Sequence, residues 1–84
     1  MKKFMVYSPN GDEVSVHFKR NWLGGERVHH FEFYGKSISE TGYRSHFVFL
    51  DELKKMNYRD FAERMVTELY NEMVKLHGQI NKLF

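Results

Sequence analysis

The sequence predicts an α+β domain, a four-stranded antiparallel meander followed by one long C-terminal helix packed on one face. Three observations carry this. Gly24-Gly25 separates two runs of alternating residues, and a two-residue primed turn there sets Phe18 opposite Phe31 and Val16 opposite Phe33. Pro9-Asn10-Gly11 is a second turn signal, and a three-residue loop over it pairs Val6 with Val14 and Phe4 with Val16. After Asp51 the apolar spacing changes from two residues to three or four. The two turns place their apolar residues on one common face, which a one-residue slip in either would invert.

The elements follow in order. Lys3 to Tyr7 and Val14 onward form the first hairpin, and the third strand runs from about Arg27 to Gly35. Lys36 to Thr41 reads as a hairpin tip. A loop at Ser39-Glu40-Thr41 sets Phe33 against Phe47 and Phe31 against Phe49, with the fourth strand from about Tyr43 to Leu50. Asp51 is placed to cap a short turn over Glu52 to Met56. Asn57 is a favourable N-cap for the main helix, with Asp60 at the third helical position. Tyr58, Phe61, Ala62, Met65, Leu69, Met73 and Leu76 share one helical face, and His77-Gly78 is the expected stop. The expectation is a single domain over 1–84, with the sheet at about 2–50, the helix at about 57–77 and a short tail at 78–84.

A domain of 84 residues buries roughly 60–65% of its unfolded surface, which makes the core marginal. Cysteine is absent, so neither disulfides nor thiolate zinc sites can brace it. The support left is dense aromatic packing (17% of residues are Phe, Trp or Tyr) or a second copy. A second helical stripe of Val66, Tyr70 and Val74, with Phe84 in the tail, is the candidate homodimer contact; the alternative is a helix sunk deeply across a curved sheet. The start of the chain lacks the apolar region of a secretory signal, and no apolar run is long enough for a membrane span. A cytoplasmic setting without membrane contact is therefore expected.

With the helix over the phenylalanine face, the other face is left open to a partner. The predicted register gives that face Lys3, His17, Lys19, His30, Tyr34, Lys36, Arg44 and His46, the candidate binding residues. Cations, imidazoles and aromatic rings interleaved in this way suit base stacking and phosphate contact. The same register places Lys36 opposite Arg44, an unfavourable pair unless the side chains splay, an anion lies between them, or the loop register differs. Arg20, Trp22, Arg27 and His29 meet near the Gly-Gly turn as either a stacking site or the edge of the core.

His17, Glu32 and His46 can approach one another on that face, but their spacing matches no local metal-ligand motif. His29 and His30 point to opposite faces and cannot chelate together. Ser45 and His46 likewise diverge, and Gly24-Gly25 leads into a strand and not into a helix N-terminus. No catalytic residue, metal or cofactor is expected, and the chain reads as a non-enzymatic binding module.

In element order and length the chain is similar to the repeat of PUR-type and positive-cofactor-type single-stranded nucleic-acid-binding modules. That resemblance implies nucleic-acid contact through the exposed sheet and a helix-built dimer. Separately from that resemblance, the open-face reading has Lys3, Lys19, Lys36 and Arg44 neutralise phosphates, with stacking on Tyr34, Tyr7 and Trp22. The competing expectation is a small inhibitor or adaptor of phage or mobile-element type that docks on a larger protein. Its basis is the second helical stripe, the apolar tail and the exposed aromatics.

Overall fold

In the computed structural model the described residues are 2–53 and 56–82. The chain forms β1 (Lys2–Tyr7), β2 (Glu13–Leu23), β3 (Glu26–Tyr34), β4 (Tyr43–Phe49), a single helical turn α1 (Leu50–Leu53) and the long helix α2 (Tyr58–Lys82). The strands make one antiparallel sheet in the order β1-β2-β3-β4, and α2 lies across one face. The ββββα prediction holds. Among the described residues no helix is long and apolar enough to cross a membrane.

Two of the three predicted registers are observed. β1 pairs Phe4 with Val16 and Val6 with Val14, and β2 pairs Val16 with Phe33 and Phe18 with Phe31. Gly24 and Gly25 both take positive φ (58° and 82°), the primed turn that matches the twist of the flanking strands.

The third register differs. Phe33 faces Arg44 and Phe31 faces His46, three residues away from the expected Phe47 and Phe49. An odd offset exchanges the faces. Arg44, His46 and Val48 therefore share the helix side with Phe31 and Phe33, while Tyr43, Ser45, Phe47 and Phe49 turn to the open side. The cause is the loop. It is not a three-residue tip but spans 35–42, closed by a 2.9 Å bond from the Gly35 N–H to the Gly42 carbonyl. Ile38 folds inward to 1% exposure and joins the core cluster. Lys36 sits in this loop and faces no arginine, so the Lys36–Arg44 opposition disappears.

The core contains Val6, Val14, Val16, Phe18, Phe31, Phe33, Ile38 and Val48 under Ala62 and Val66 of α2. Val66 is fully buried here, so it cannot serve the homodimer contact proposed for it. The helix has sunk into the sheet far enough to absorb the first residue of the second stripe. Tyr70 is half-buried, Val74 is exposed, and Phe84 lies outside the described residues. Asn57 caps α2 as expected: its Oδ1 accepts the Asp60 N–H at 2.8 Å, and its Nδ2 donates to the Asp60 carboxylate at 3.0 Å. Tyr58 anchors the helix start over Phe4 and Phe18, with ring centroids 5.5 and 5.2 Å away. The helix does not stop at His77-Gly78 but continues to Lys82. A helical glycine costs only about 1 kcal/mol relative to alanine, too little to end a helix by itself. His77 Nε2 lies 3.0 Å from the Glu40 carboxylate, which ties the later turns of α2 to the 35–42 loop.

His29 is buried on the helix side and stacks on Phe18 at 5.0 Å, and both its ring nitrogens lack partners. Burial, reinforced by the nearby Arg20 and Arg27 charges, lowers its pKa below the usual histidine value. The unfolded chain therefore takes up the proton first. The His29 contribution to stability is intact above about pH 6.5 and falls below it, with a slope of at most about 1.4 kcal/mol per pH unit. Denaturant midpoints measured from pH 7.5 to 5.5 should decline in the wild type, and His29→Phe should flatten that decline. Ile38→Ala should cost about 2–4 kcal/mol in urea unfolding despite its loop position, because it empties a core site. A loss under about 0.5 kcal/mol would show that Ile38 does not hold the loop.

Candidate interaction surface

The sheet alternation sends every second residue away from α2. From β1 come Lys3, Met5 and Tyr7, and from β2 come Glu13, Ser15, His17, Lys19, Asn21 and Leu23. β3 and β4 contribute the face-to-face pairs Tyr34–Tyr43, Glu32–Ser45, His30–Phe47 and Val28–Phe49. Of the predicted binding residues, Lys3, His17, Lys19, His30 and Tyr34 do share this open face. Arg44 and His46 do not: the shifted β4 register places them on the helix side, where the His46 ring packs 6.1 Å from Phe61. Lys36 belongs to the 35–42 loop, near Asp12.

The aromatic character of the open face is concentrated on its β3–β4 half. His30 lies nearly parallel on Phe47, with centroids 4.3 Å apart and planes 6° apart. Tyr34 contacts Tyr43 at 5.1 Å and His17 at 4.7 Å. Phe47 and Phe49 remain 43% and 44% exposed, although each has an apolar or aromatic neighbour across the sheet. These two phenylalanines are the functional candidates that sequence reasoning missed. The signal that could have found them is Ile38, an apolar residue in a polar segment flanked by Gly35 and Gly42.

One carboxylate is embedded among these rings. Glu32 Oε2 accepts hydrogen bonds from the hydroxyls of Tyr43 (3.0 Å) and Tyr34 (3.1 Å), and Oε1 lies 3.8 Å from the Lys19 ammonium. The Tyr43 hydroxyl chiefly holds Glu32 below the usual carboxylate range, opposed by some desolvation and helped by Tyr34, His30 and Lys19. Both tyrosines are pushed above the usual phenol value, Tyr43 first by its bond to Glu32 and Tyr34 first by desolvation. The carboxylate is thus ionised, oriented and already satisfied. His17 stands opposite Glu32 in the register, but its ring packs on Tyr34 and the carboxylate is given to the tyrosines. The approach of His17, Glu32 and His46 that the predicted register allowed does not occur, because His46 is on the other face. Among the described residues no group of three or more His, Asp or Glu is arranged to hold a metal ion.

The family called KlcB third domain matches residues 2–78. The chain belongs to this family. The matched span takes in all four strands, α1 and most of α2, so the open face and its Glu32 centre lie wholly within the KlcB third-domain fold. No curated protein and no solved structure is significantly similar to the chain.

At the far end of the β2–β3 hairpin, Arg27 stacks over Trp22 with its guanidinium carbon 5.5 Å from the ring. Trp22 is on the helix side by alternation but lies beyond α2, 65% exposed. Arg20 and His29 are cross-strand partners there, so this region is both the edge of the core and an exposed ring-cation pair.

Removing the carboxylate should be visible in the tyrosines. A spectrophotometric titration of Glu32→Gln should show two phenols ionising closer to the ordinary range, near 10, than in the wild type. An unchanged titration curve would mean that the Glu32–tyrosine bonds do not persist in solution.

Proposed function

We propose that the chain is a non-enzymatic binding module that docks another protein on its open sheet face. The observation that carries this reading is the exposed aromatic surface of β3 and β4, formed by Tyr34, Tyr43, Phe47 and Phe49 with His30 stacked on Phe47. Monomeric domains seldom leave contiguous apolar surface wet, and aromatic side chains are enriched among residues that dominate binding energy. The polar content of the face also favours a protein over a nucleic acid. It carries two lysines, Lys3 and Lys19, against three glutamates, Glu13, Glu26 and Glu32. Lys19 moreover already lies 3.8 Å from a carboxylate of the same face, Glu32. A phosphate backbone asks for a net cationic track, which this face does not offer.

A cytoplasmic location suits a chain without cysteine, in which no oxidising chemistry is needed.

The test uses the whole chain and Phe47→Glu, which alters an exposed side chain and should leave the circular dichroism spectrum intact. Immobilised wild type should retain a defined protein from nuclease-treated lysate of its source cell. Phe47→Glu should weaken retention at least about thirtyfold, the loss expected at an interface centre. Retention equal in both, or binding of labelled single strands that falls steeply between about 50 and 200 mM salt and ignores Phe47, would overturn the reading.

A further inference from the structure

The two edges of the sheet are treated differently. On β1, the 2.9 Å bond from the Ser8 N–H to the Asp12 carbonyl sets the alternation, so Lys3, Met5 and Tyr7 turn their backbone groups outward. Arg59 reaches over this edge and donates to the Met5 carbonyl at 3.3 Å, and Lys3 adds a charge beside it. A guarded edge of this kind resists pairing with another strand.

On β4, the Gly35–Gly42 bond sets the alternation, so Tyr43, Ser45 and Phe47 turn outward. Ser39 covers only the first: its Oγ accepts the Tyr43 N–H and lies 3.0 Å from the Tyr43 carbonyl. Among the described residues the outward N–H and C=O groups of Ser45 and Phe47 have no partner. The strand has no proline or lysine, and Arg44 is its single charge.

We propose that β4 is the edge through which two copies of this chain join, pairing antiparallel about a two-fold axis at His46. The register follows from the strand itself. Centring on His46 is the only choice that overlaps all seven residues, Tyr43 to Phe49. It sets Ser45 against Phe47 of the second copy and Phe47 against its Ser45, which satisfies four N–H and four C=O groups in two narrow pairs. Arg44 then faces Val48, so the two arginines do not oppose each other, and Tyr43 faces Phe49 on the open side. The two aromatic faces merge into one eight-stranded surface. The contact concerns the edge and not the face, so it stands independently of the proposed partner docking. It also differs from a dimer built on the helix stripe, whose first residue is buried.

Sedimentation equilibrium of the whole chain tests this. The wild type should approach twice the 10.2 kDa chain mass as concentration rises into the hundreds of micromolar. Ser45→Pro removes an outward N–H without touching the β3 ladder, and Phe47→Lys adds an edge charge; each should remain folded by circular dichroism and stay monomeric. Because the chain has no cysteine, a single His46→Cys should oxidise to a disulfide dimer, whereas Lys36→Cys should not. A monomeric wild type throughout, a dimer untouched by both Ser45→Pro and Phe47→Lys, or a dimer abolished by Val74→Lys instead would overturn the proposal.

Discussion

The burial of Ile38 governs what this molecule presents to solvent. A loop residue reaches into the core between β3 and β4, and the loop must lengthen to 35–42 to let it. That length displaces β4 by three residues against the register its phenylalanines would otherwise choose. The core gains Ile38 and Val48, and Phe47 and Phe49 are released to the other side. An aliphatic residue on an otherwise polar hairpin thus decides the chemistry of a whole face. Gly35 permits the close approach this needs, since a Cβ there would sit 3.0 Å from the Glu13 carbonyl and from a Val14 methyl.

Much of the fold is legible in the sequence because turn chemistry and alternation agree. At Gly24-Gly25 and at Pro9-Asn10-Gly11 the turn is short, its residues dictate its type, and its length leaves one register that keeps the apolar set together. Asn57 and Asp60 announce the start of α2 by the same kind of local chemistry. The 35–42 loop has no such local signature. Both registers of β4 bury some apolar residues: one offers Phe47 and Phe49, and the other offers Val48 with Ile38. Pattern counting favours the phenylalanines, and only tertiary packing around Ile38 reverses the choice. The same limit applies to Gly78, where a weak local preference yields to continuation of the helix.

Of the candidate site, the β1–β3 contributions were readable, namely Lys3, His17, Lys19, His30 and Tyr34, and the β4 contributions were not. The consequence is more than a change of membership. Moving Arg44 off the face removes a cation and adds two phenylalanines. Glu32, opposite His17 in the register, becomes the organiser of Tyr34 and Tyr43. A surface expected to be cationic and wet is instead aromatic, with an ionised carboxylate held at its centre by hydroxyl donors. Such a carboxylate adds directional specificity to an apolar contact without needing a new partner for its own satisfaction.

The sheet edges extend this logic. An antiparallel sheet of four strands has two rows of outward backbone groups, and a small domain must either protect them or use them. Here α2 protects the β1 edge, because the helix begins beside it and Arg59 lies one residue past Tyr58. The β4 edge is out of reach of that side chain, and Ser39 covers a single residue of it. Ser39 does so because Ile38 beside it is pinned in the core, so the packing that turns Phe47 outward also determines how much of the edge stays open. Pairing there would bury backbone groups and the flanks of Phe47 and Phe49 together, which suits a domain whose own core is limited by its size.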